Sequence, residues 1–498
     1  MKKITRLLAI LLSLAMLCCM TACGNSKTSS EGGSGATGGN LLEFDDETAS
    51  GVASDAGNDG TGSSGGTNST GGTNSTGGNS STGGNSSTGG TTVDKPVTMG
   101  SSDPFANIPK RLKGSTVTFA HFGDEGADEY VKVFNAFEKK TGIKVKPVSF
   151  NQVEYVSQVA KQINAGQAPD VIICNSTFPS ALEIAQPLQN IIDLNDDFWS
   201  DTITKQTTVG KNTYFVNSTQ GPWMNVGCMF YNKTMFNTLG LTTPTVYYKA
   251  GQWTWETYKK LLEQITKAGY VGGTADPLVI AWSVGKPVVS YDPATATFSS
   301  NVKQLEKYIQ FDRQNFKEGL WSSTDWWGTF GNGNIGLYLS DTYGLKYNGY
   351  FKNADDNMLA AVPAPTSFQG EPTKTTLSIR GYGIAKGAKN PEAAVYFLRY
   401  FLDYEYYDDA GADIFKNKNL EKLYFDELMP EIDKGNVVLE YYYNPIYIAT
   451  GKSSISDENL LGKALSAEPS QVPGELAAVK NVMQNVVNKA NEKIKPFK

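Results

Sequence analysis

Strand-like and helix-like patterns of apolar residues alternate along the chain from Ser115 onwards. The segment STVTFAHF predicts a strand, IKVKPV a second strand and the continuous apolar run VIIC a third. Between them, apolar residues recur at the spacing of an amphipathic helix, and a glycine follows each helix. The two stripes are Tyr130, Val133, Phe134 and Phe137, then Val156, Val159, Ala160 and Ile163. This βαβαβ order predicts an α/β protein in which helices cover a parallel sheet.

The helical spacing returns three times in the second half of the chain. Thr254 is placed to cap one of these helices, and Asn390 with Pro391 opens another. The predicted buried stripes are Tyr258, Leu261, Leu262 and Ile265, then Ala394, Phe397, Leu398 and Phe401, and finally Leu476, Val479, Val482, Met483 and Val486. We expect these stripes to form core.

Residues 1–22 have the pattern of a secretory signal peptide. Basic residues precede the apolar run LLAILLSLAMLCCM, which is too short to span a membrane as a helix. The segment MTACG at 20–24 resembles a bacterial lipobox, in which a Cys is acylated and becomes the mature N-terminus. The alternative is an ordinary cleavage site beside an unrelated Cys. The lipobox interpretation predicts an extracellular protein that is anchored by lipid at Cys23 to the outer face of the cell membrane.

Residues 23–100 have the composition of a flexible linker. They contain the tandem units GGTNST, GGTNST, GGNSST and GGNSST. Gly, Ser, Thr and Asn bury too little apolar surface to offset the entropy of ordering. A coil of this length reaches roughly 45 to 50 Å, so it can hold a folded region away from the membrane.

Charge, cysteine and histidine content exclude several classes of protein. The net charge of −6 and the pI of about 5.2 disfavour nucleic acid as a partner. Beyond Cys23 the chain has only Cys174 and Cys228, which are either two buried thiols or one disulfide. His121 is the only histidine, so a zinc site built from several His or Cys is excluded, and no cofactor is expected.

Five stretches occur in the order found in the extracellular solute-binding proteins of ATP-driven (ABC) importers. They are FEKKTGIKV; INAGQAPDVIICN; GKNTYFVNSTQGPWMNVGCMFYNKTMFNTLGLTTPT with WTWETYKKL; FGNGNIGLYLSD leading to AAVPAPT; and RGYGIAKGAKNPEAAVYFLRYFLDYE. The chain therefore resembles the family that includes maltose-binding protein. The segment QGPWMN departs from the simpler proline-containing strand of many relatives.

The resemblance implies a two-lobed periplasmic-binding-protein-like fold of type II. Each lobe would be a mixed, mainly parallel sheet flanked by helices, with a ligand cleft between the lobes. The expected solute-binding domain is 101–498, with one lobe at about 115–222 plus 383–435 and the other at about 226–380 plus 436–498. The resemblance also implies a monomer whose partners are a small solute and the permease subunits of an ABC transporter.

Aromatic residues on predicted loops suggest that the solute is a sugar. Flat apolar rings stack on the C–H faces of a pyranose, and planar polar groups satisfy its hydroxyls. The candidate platforms are Trp223, Trp282, Trp326, Trp327, Tyr343 and Tyr382. Each of them has the alternative of being partly buried core.

Polar candidates follow from strand ends, because ligands of open α/β sheets lie outside the carboxyl ends of the strands. They are His121, Asp124, Asn175, Ser176, Asp341 and Arg380, together with Gln220 at the first expected crossing between lobes. Asp341 has the alternative of a helix cap, and Arg380 that of pairing with a structural carboxylate. We expect His121 to be a neutral hydrogen-bonding residue.

Two other functions remain alternatives to import. A glycoside hydrolase would need two carboxylates across a sugar, and Asp124, Glu125, Asp325 and Asp341 are its candidates. The sequence has no GxSxG, P-loop, HExxH or dinucleotide-binding motif, which disfavours an enzyme. A sensor that presents a loaded ligand would use the same fold. The sequence favours capture of a mono- or oligosaccharide for import, without catalysis.

Overall fold

Two separate β-sheets organise the chain in the computed structural model. The structure describes residues 96–98, 103–123, 128–174, 177–275, 288–322, 330–346, 351, 354–355, 357–366, 375–378, 380–415, 417–433, 437–440 and 457–498. The strands are β1 (Thr116–His121), β2 (Lys144–Ser149), β3 (Val171–Cys174), β4 (Thr208–Val209), β5 (Asn212–Thr213), β6 (Asn225–Asn232), β7 (Val271–Ala275), β8 (Val289–Asp292), β9 (Thr297–Ser300), β10 (Ile335–Asp341), β11 (Leu359–Val362), β12 (Thr375–Ser378), β13 (Gly381–Ile384) and β14 (Val437–Glu440).

Helices separate most of these strands. The α-helices are α1 (Asp128–Thr141), α2 (Tyr155–Asn164), α3 (Asp201–Gln206), α4 (Lys233–Thr238), α5 (Pro244–Lys249), α6 (Trp255–Lys267), α7 (Glu306–Lys317), α8 (Pro391–Phe401), α9 (Glu405–Ala410), α10 (Lys418–Lys422), α11 (Met429–Asp433), α12 (Asp457–Ser466) and α13 (Val472–Ile494). Shorter 3-10 helices include Ser180–Glu183, Thr342–Leu345 and Lys495–Phe497, and a π-helix spans Leu423–Leu428.

The first sheet has the strand order β13-β3-β1-β2, and we call it with its helices lobe 1. Strands β1, β2 and β3 are parallel, with Thr116 opposite Lys144 and Phe119 opposite Val171. Strand β13 is antiparallel to β3. The predicted βαβαβ unit is confirmed, because α1 and α2 connect the parallel strands β1, β2 and β3. Strand β3, the segment VIIC, is buried at every residue, as expected of a strand covered on both faces.

The second sheet is centred on β6, and we call it with its helices lobe 2. Its strand order is β14-β12-β6-β10-β7, and β11 also pairs with β6. Strand β6 is antiparallel to β10, β11 and β12, whereas β10 is parallel to β7 and β12 to β14. The sheet is therefore mixed, in agreement with the expected fold class.

Three of the five predicted helical stripes are fully buried, and those of α2 and α13 are buried in part. Helix α1 buries its four predicted residues, and α6 and α8 do the same. Thr254 caps α6 as expected, because its hydroxyl accepts a hydrogen bond from the N–H of Thr257 at 3.3 Å. None of the described helices combines the length and apolar character needed to cross a membrane.

The folded region reaches back to Val97, inside the segment predicted as linker. Val97 is 8% exposed, its N–H donates to the carbonyl of Ile191 at 2.9 Å, and its carbonyl accepts from Asp193 at 3.2 Å. A single apolar residue next to a Gly-rich tract is too short a signal for sequence reasoning to separate from linker.

Cys174 and Cys228 are both buried and are not joined in a disulfide. They are therefore two core thiols, the first of the two sequence-based alternatives. Burial raises the pKa of Cys174 to about 12 and that of Cys228 well above its usual value. We infer that neither thiol is reactive in the folded protein.

Candidate functional site

The carboxyl edges of the two sheets are joined by short crossing segments. In lobe 1, β1 ends at His121, and β13 begins at Gly381 opposite the last residue of β3. In lobe 2, β10 ends at Asp341, and β12 ends at Ser378 opposite Asn225, the first residue of β6. The chain passes between these edges at 217–225 and at 378–381. Ligands of open α/β sheets bind outside carboxyl ends, so this junction is the candidate site.

His121 lies at the end of β1 and is only 4% exposed. Its ring centroid is 5.7 Å from that of Phe119, and its carbonyl accepts a hydrogen bond from Phe150. Burial, and secondly the charge of Arg380, lower the pKa of His121 below its usual value. The imidazole is therefore neutral at pH 7, so it offers one donor and one acceptor to hydroxyl groups.

Both the backbone and the side chain of Arg380 make contacts that fix it in the second crossing. Its carbonyl accepts a hydrogen bond from the side-chain amide of Asn217 at 2.6 Å, and its Nε donates to Tyr382 Oη at 3.2 Å. The guanidinium carbon lies 5.2 Å from the ring centroid of Trp223. A half-buried planar group with five donors that is held in this way can bind paired hydroxyl or carboxylate oxygens.

Trp223 is 2% exposed and lies in an aromatic cluster, not on a surface. Its ring centroid is 4.6 Å from Phe401 and 4.7 Å from Tyr130. Its Nε1 donates to the Phe401 carbonyl and to Tyr407 Oη, both at 3.1 Å. The structure therefore corrects the prediction that Trp223 offers a stacking face to a ligand.

Tyr382 requires the same correction. The side chain is 0% exposed, and burial raises its pKa to about 12. Its ring lies among Phe119, Trp223 and Phe401 at centroid distances of 5.8 to 6.3 Å. Tyr382 is the second residue of β13, where rings from distant parts of the chain cover it, and sequence position alone did not reveal this.

Asp341 caps the 3-10 helix Thr342–Leu345. One carboxylate oxygen accepts the N–H of Tyr343 at 2.9 Å, as the cap alternative predicted. This contact sets the turn that carries Tyr343, which is partly exposed at the same edge. Gln220 is exposed on the first crossing, where its carbonyl accepts the N–H of Tyr404 at 2.9 Å. Asp341, Tyr343 and Gln220 thus all lie at the junction.

Three residues that sequence reasoning missed shape this junction. Lys346 is 8% exposed, and its Nζ lies 5.5 Å from the ring centroid of Trp223. The hydroxyl of Thr342 donates to the carbonyl of Met224 at 3.1 Å and accepts from the N–H of Val226 at 3.0 Å. Tyr424 Oη accepts the N–H of Met224 at 3.0 Å. The backbone of the first crossing is therefore fixed from both lobes, although no sequence motif marks these residues.

Several predicted ligand residues lie outside the described residues. They are Asp124, Asn175, Ser176, Trp282, Trp326 and Trp327, together with Cys23. In the sequence, Asp124 follows β1, Asn175 and Ser176 follow β3, and Trp282 follows β7. No cluster of three or more His, Cys, Asp or Glu side chains suited to a metal occurs in the described part of the chain.

Comparison with known proteins identifies relatives of this architecture. The family model described as "Bacterial extracellular solute-binding protein" matches residues 132–414, more than half of the chain. A search of curated proteins found no match.

Several solved structures share the fold at low sequence identity. An ABC transporter solute-binding protein from Agrobacterium radiobacter K84, in complex with ribitol, has a TM-score of 0.52 at 16% identity, covering 74% of this chain and 99% of that chain. The sugar-binding protein MalE from Xanthomonas citri has a TM-score of 0.51 at 15% identity, covering 77% and 98%. The GacH receptor of Streptomyces glaucescens GLA.O, described unliganded and with acarbose, has a TM-score of 0.51 at 17% identity, covering 77% and 99%.

Proposed function

Because the chain belongs to the family of bacterial extracellular solute-binding proteins, we propose that it captures a mono- or oligosaccharide between its lobes. It then delivers the solute to the permease of an ATP-driven importer. The observation that carries the proposal is the junction of two carboxyl edges, where Arg380, Tyr343 and Gln220 are at least partly exposed beside fixed crossing segments. Relatives of the same fold that are described with ribitol or acarbose support a polyhydroxylated ligand.

The chemistry of the described side chains suits a neutral, hydroxyl-rich solute. His121 is uncharged at pH 7, so it adds no buried positive charge at the end of β1. Arg380 donates in pairs to neighbouring oxygens, and Gln220 and Tyr343 border the junction. No bond of the solute is made or broken in this subunit, because binding alone serves delivery.

Closure of the lobes is the transport signal in this proposal. A solute that contacts both edges has differential affinity for the state in which they are close, so it shifts the population toward that state. A monomer anchored through a lipid on Cys23, with the segment before Val97 as its tether, would then present the closed form to a membrane partner outside the cell.

The test is a thermal-shift and calorimetric screen of the full chain against sugars, polyols, amino acids and peptides. A carbohydrate should raise the unfolding midpoint because it binds the native state. Arg380→Ala should then weaken binding by about tenfold or more, since a charged hydrogen bond contributes roughly 1.5 to 3 kcal/mol. Arg111→Ala is the matched control, because Arg111 pairs with Glu392 on the surface of lobe 1.

The screen also separates this proposal from its competitors. A shift with amino acids or peptides and none with carbohydrates or polyols would show that the ligand class is wrong. Product formation detected by chromatography after incubation with the bound sugar would contradict binding without catalysis.

A further inference from the structure

The β8–β9 hairpin and the last helix of the chain form one unit on lobe 2. The Asn491 side chain joins them, because its Oδ1 accepts the N–H of Phe298 at 2.7 Å and its Nδ2 donates to the Phe298 carbonyl at 3.1 Å. Helix α13 also packs against α12 and α7. The hairpin and the end of α13 therefore move with lobe 2.

The hairpin of this unit contacts lobe 1 through aromatic rings. Phe178, which follows β3 and is 0% exposed, lies 5.3 Å from Tyr291 and 6.0 Å from Phe298 between ring centroids. Tyr291 Oη donates to the carbonyl of Thr208 at 3.0 Å. Separation of the hairpin from lobe 1 would expose these rings and break this hydrogen bond.

The chain end makes a second contact with lobe 1. The ring of Phe497 lies 6.0 Å from that of Tyr214 and 5.5 Å from Lys386 Nζ. Lys493 Nζ is 3.0 Å from a Glu183 carboxylate oxygen. The exposed ion pair adds little by itself, so the Phe497 ring is the main apolar element here.

The unit bridges the same two lobes as the crossing segments. We infer that the β8–β9 hairpin together with residues 491–498 forms a latch that holds the lobes at the separation seen in this structure. Hinge movement of the lobes must break or slide these contacts.

The latch has a consequence for ligand binding that rests on the proposed function. The apparent affinity of a two-lobed binding protein falls in proportion to the fraction of molecules in the competent state. A latch that holds one separation of the lobes sets that fraction before the solute arrives. Loss of the latch should therefore change the affinity without removing any ligand contact.

The experiment measures lobe separation directly, with no ligand added. Donor and acceptor dyes are attached through azidophenylalanine at positions 161 and 260, where exposed Lys161 and Lys260 occupy helices of lobe 1 and lobe 2. Single-molecule energy transfer is compared among the native chain, Phe497→Ala and Tyr291→Phe. The control is Phe316→Ala, since Phe316 is 38% exposed on lobe 2 and its ring stacks on Arg313.

We expect Phe497→Ala to reduce the population with the native transfer efficiency about threefold or more, and Tyr291→Phe to reduce it less, because its ring is kept. Phe316→Ala should match the native chain. The inference is wrong if both latch variants give the native distribution, or if the control shifts as far as they do. Since no ligand is present, a failed carbohydrate screen leaves this result unaffected, and a failed latch leaves the proposed function standing.

Discussion

Two buried clusters of the molecule satisfy their polar atoms to very different degrees. Around Trp223, the indole N–H bonds to Phe401 and Tyr407, and Tyr407 Oη itself donates to the Phe401 carbonyl at 2.9 Å. Tyr424 Oη likewise accepts from the N–H of Met224. Between α6 and α7 of lobe 2, by contrast, the described protein atoms offer no hydrogen-bond partner to Tyr258 Oη or to the Asn315 amide.

The second cluster also contains a buried carboxyl group. Asp312 is 7% exposed and lies three residues before Asn315, on the same face of α7. Its charge contributes, after burial, to the raised pKa of Tyr258. The Tyr258 ring packs on Trp321 at a centroid distance of 6.4 Å.

The difference shows where the molecule needs a defined geometry. The Trp223 cluster packs against the first crossing, and the hydrogen bonds of Trp223, Tyr407 and Tyr424 fix the segment that joins the two edges. The Asp312 cluster lies away from the crossings, between helices whose apolar stripes already pack. Lobe 2 can therefore carry polar groups whose burial is unfavourable without affecting the junction.

The largest expected effect is a loss of stability at the Trp223 cluster. Trp223→Ala should lower the free energy of unfolding by about 3 to 5 kcal/mol, because it leaves a cavity and removes the donor to Tyr407. Urea unfolding followed by circular dichroism measures the loss. Trp223→Phe is the matched variant and should lose clearly less. Equal stability of the native chain and Trp223→Ala would show that the cluster does not support the crossing.

The second largest expected effect is a pH dependence of stability at the Asp312 cluster. Burial raises the pKa of Asp312 from 3.8 to about 7, whereas the neighbouring Arg313 lowers it slightly. The folded state thus favours the neutral carboxyl group. Its contribution is complete below the unfolded pKa of about 3.9 and is lost as the pH rises through about 7, by on the order of 4 kcal/mol in all.

Comparison with Asp312→Asn isolates this contribution. The variant should lack the decline between pH 4 and pH 8 and should be more stable than the native chain at pH 8. Denaturant unfolding at several pH values measures the two slopes. Parallel pH profiles for the two proteins would rule out titration of Asp312 in this range.

The smallest expected effect comes from the most direct comparison, in which a tyrosine is replaced by phenylalanine in each cluster. Tyr407→Phe should lower the free energy of unfolding by about 1 to 3 kcal/mol, since it leaves the Phe401 carbonyl without one donor and the Trp223 indole without one acceptor. Tyr258→Phe should be neutral or stabilising, since Tyr258 Oη has no partner among the described residues. Equal losses in the two variants would contradict the distinction between the clusters.

Much of the fold followed from sequence patterns that depend on neighbouring residues only. The stripes of α1, α6 and α8 were read from apolar spacing, and each is buried in the structure. Such spacing is determined by helix geometry, so it is visible before any tertiary contact is known. The order of motifs similarly indicated the family that the matching model later supported.

The candidate site could be predicted only as far as strand ends could be placed. Sequence reasoning could place His121, Asp341 and Arg380 at the junction, because the carboxyl end of a strand is a local feature of the sequence. The cap at Asp341 is local as well. Lys346 and Thr342 were missed, since their contacts with Trp223, Met224 and Val226 join residues more than 100 positions apart.

The sequence by itself determined the first three strands, the main amphipathic helices, the α/β class, the family and several strand ends that could face a ligand. Only the tertiary structure decided which aromatic rings are available. Trp223 and Tyr382 carry the same chemistry as any stacking platform, but rings from distant parts of the chain, among them Tyr130, Phe119 and Phe401, cover them. Burial is a property of the residues that pack from distant parts of the chain, so no local pattern can reveal it.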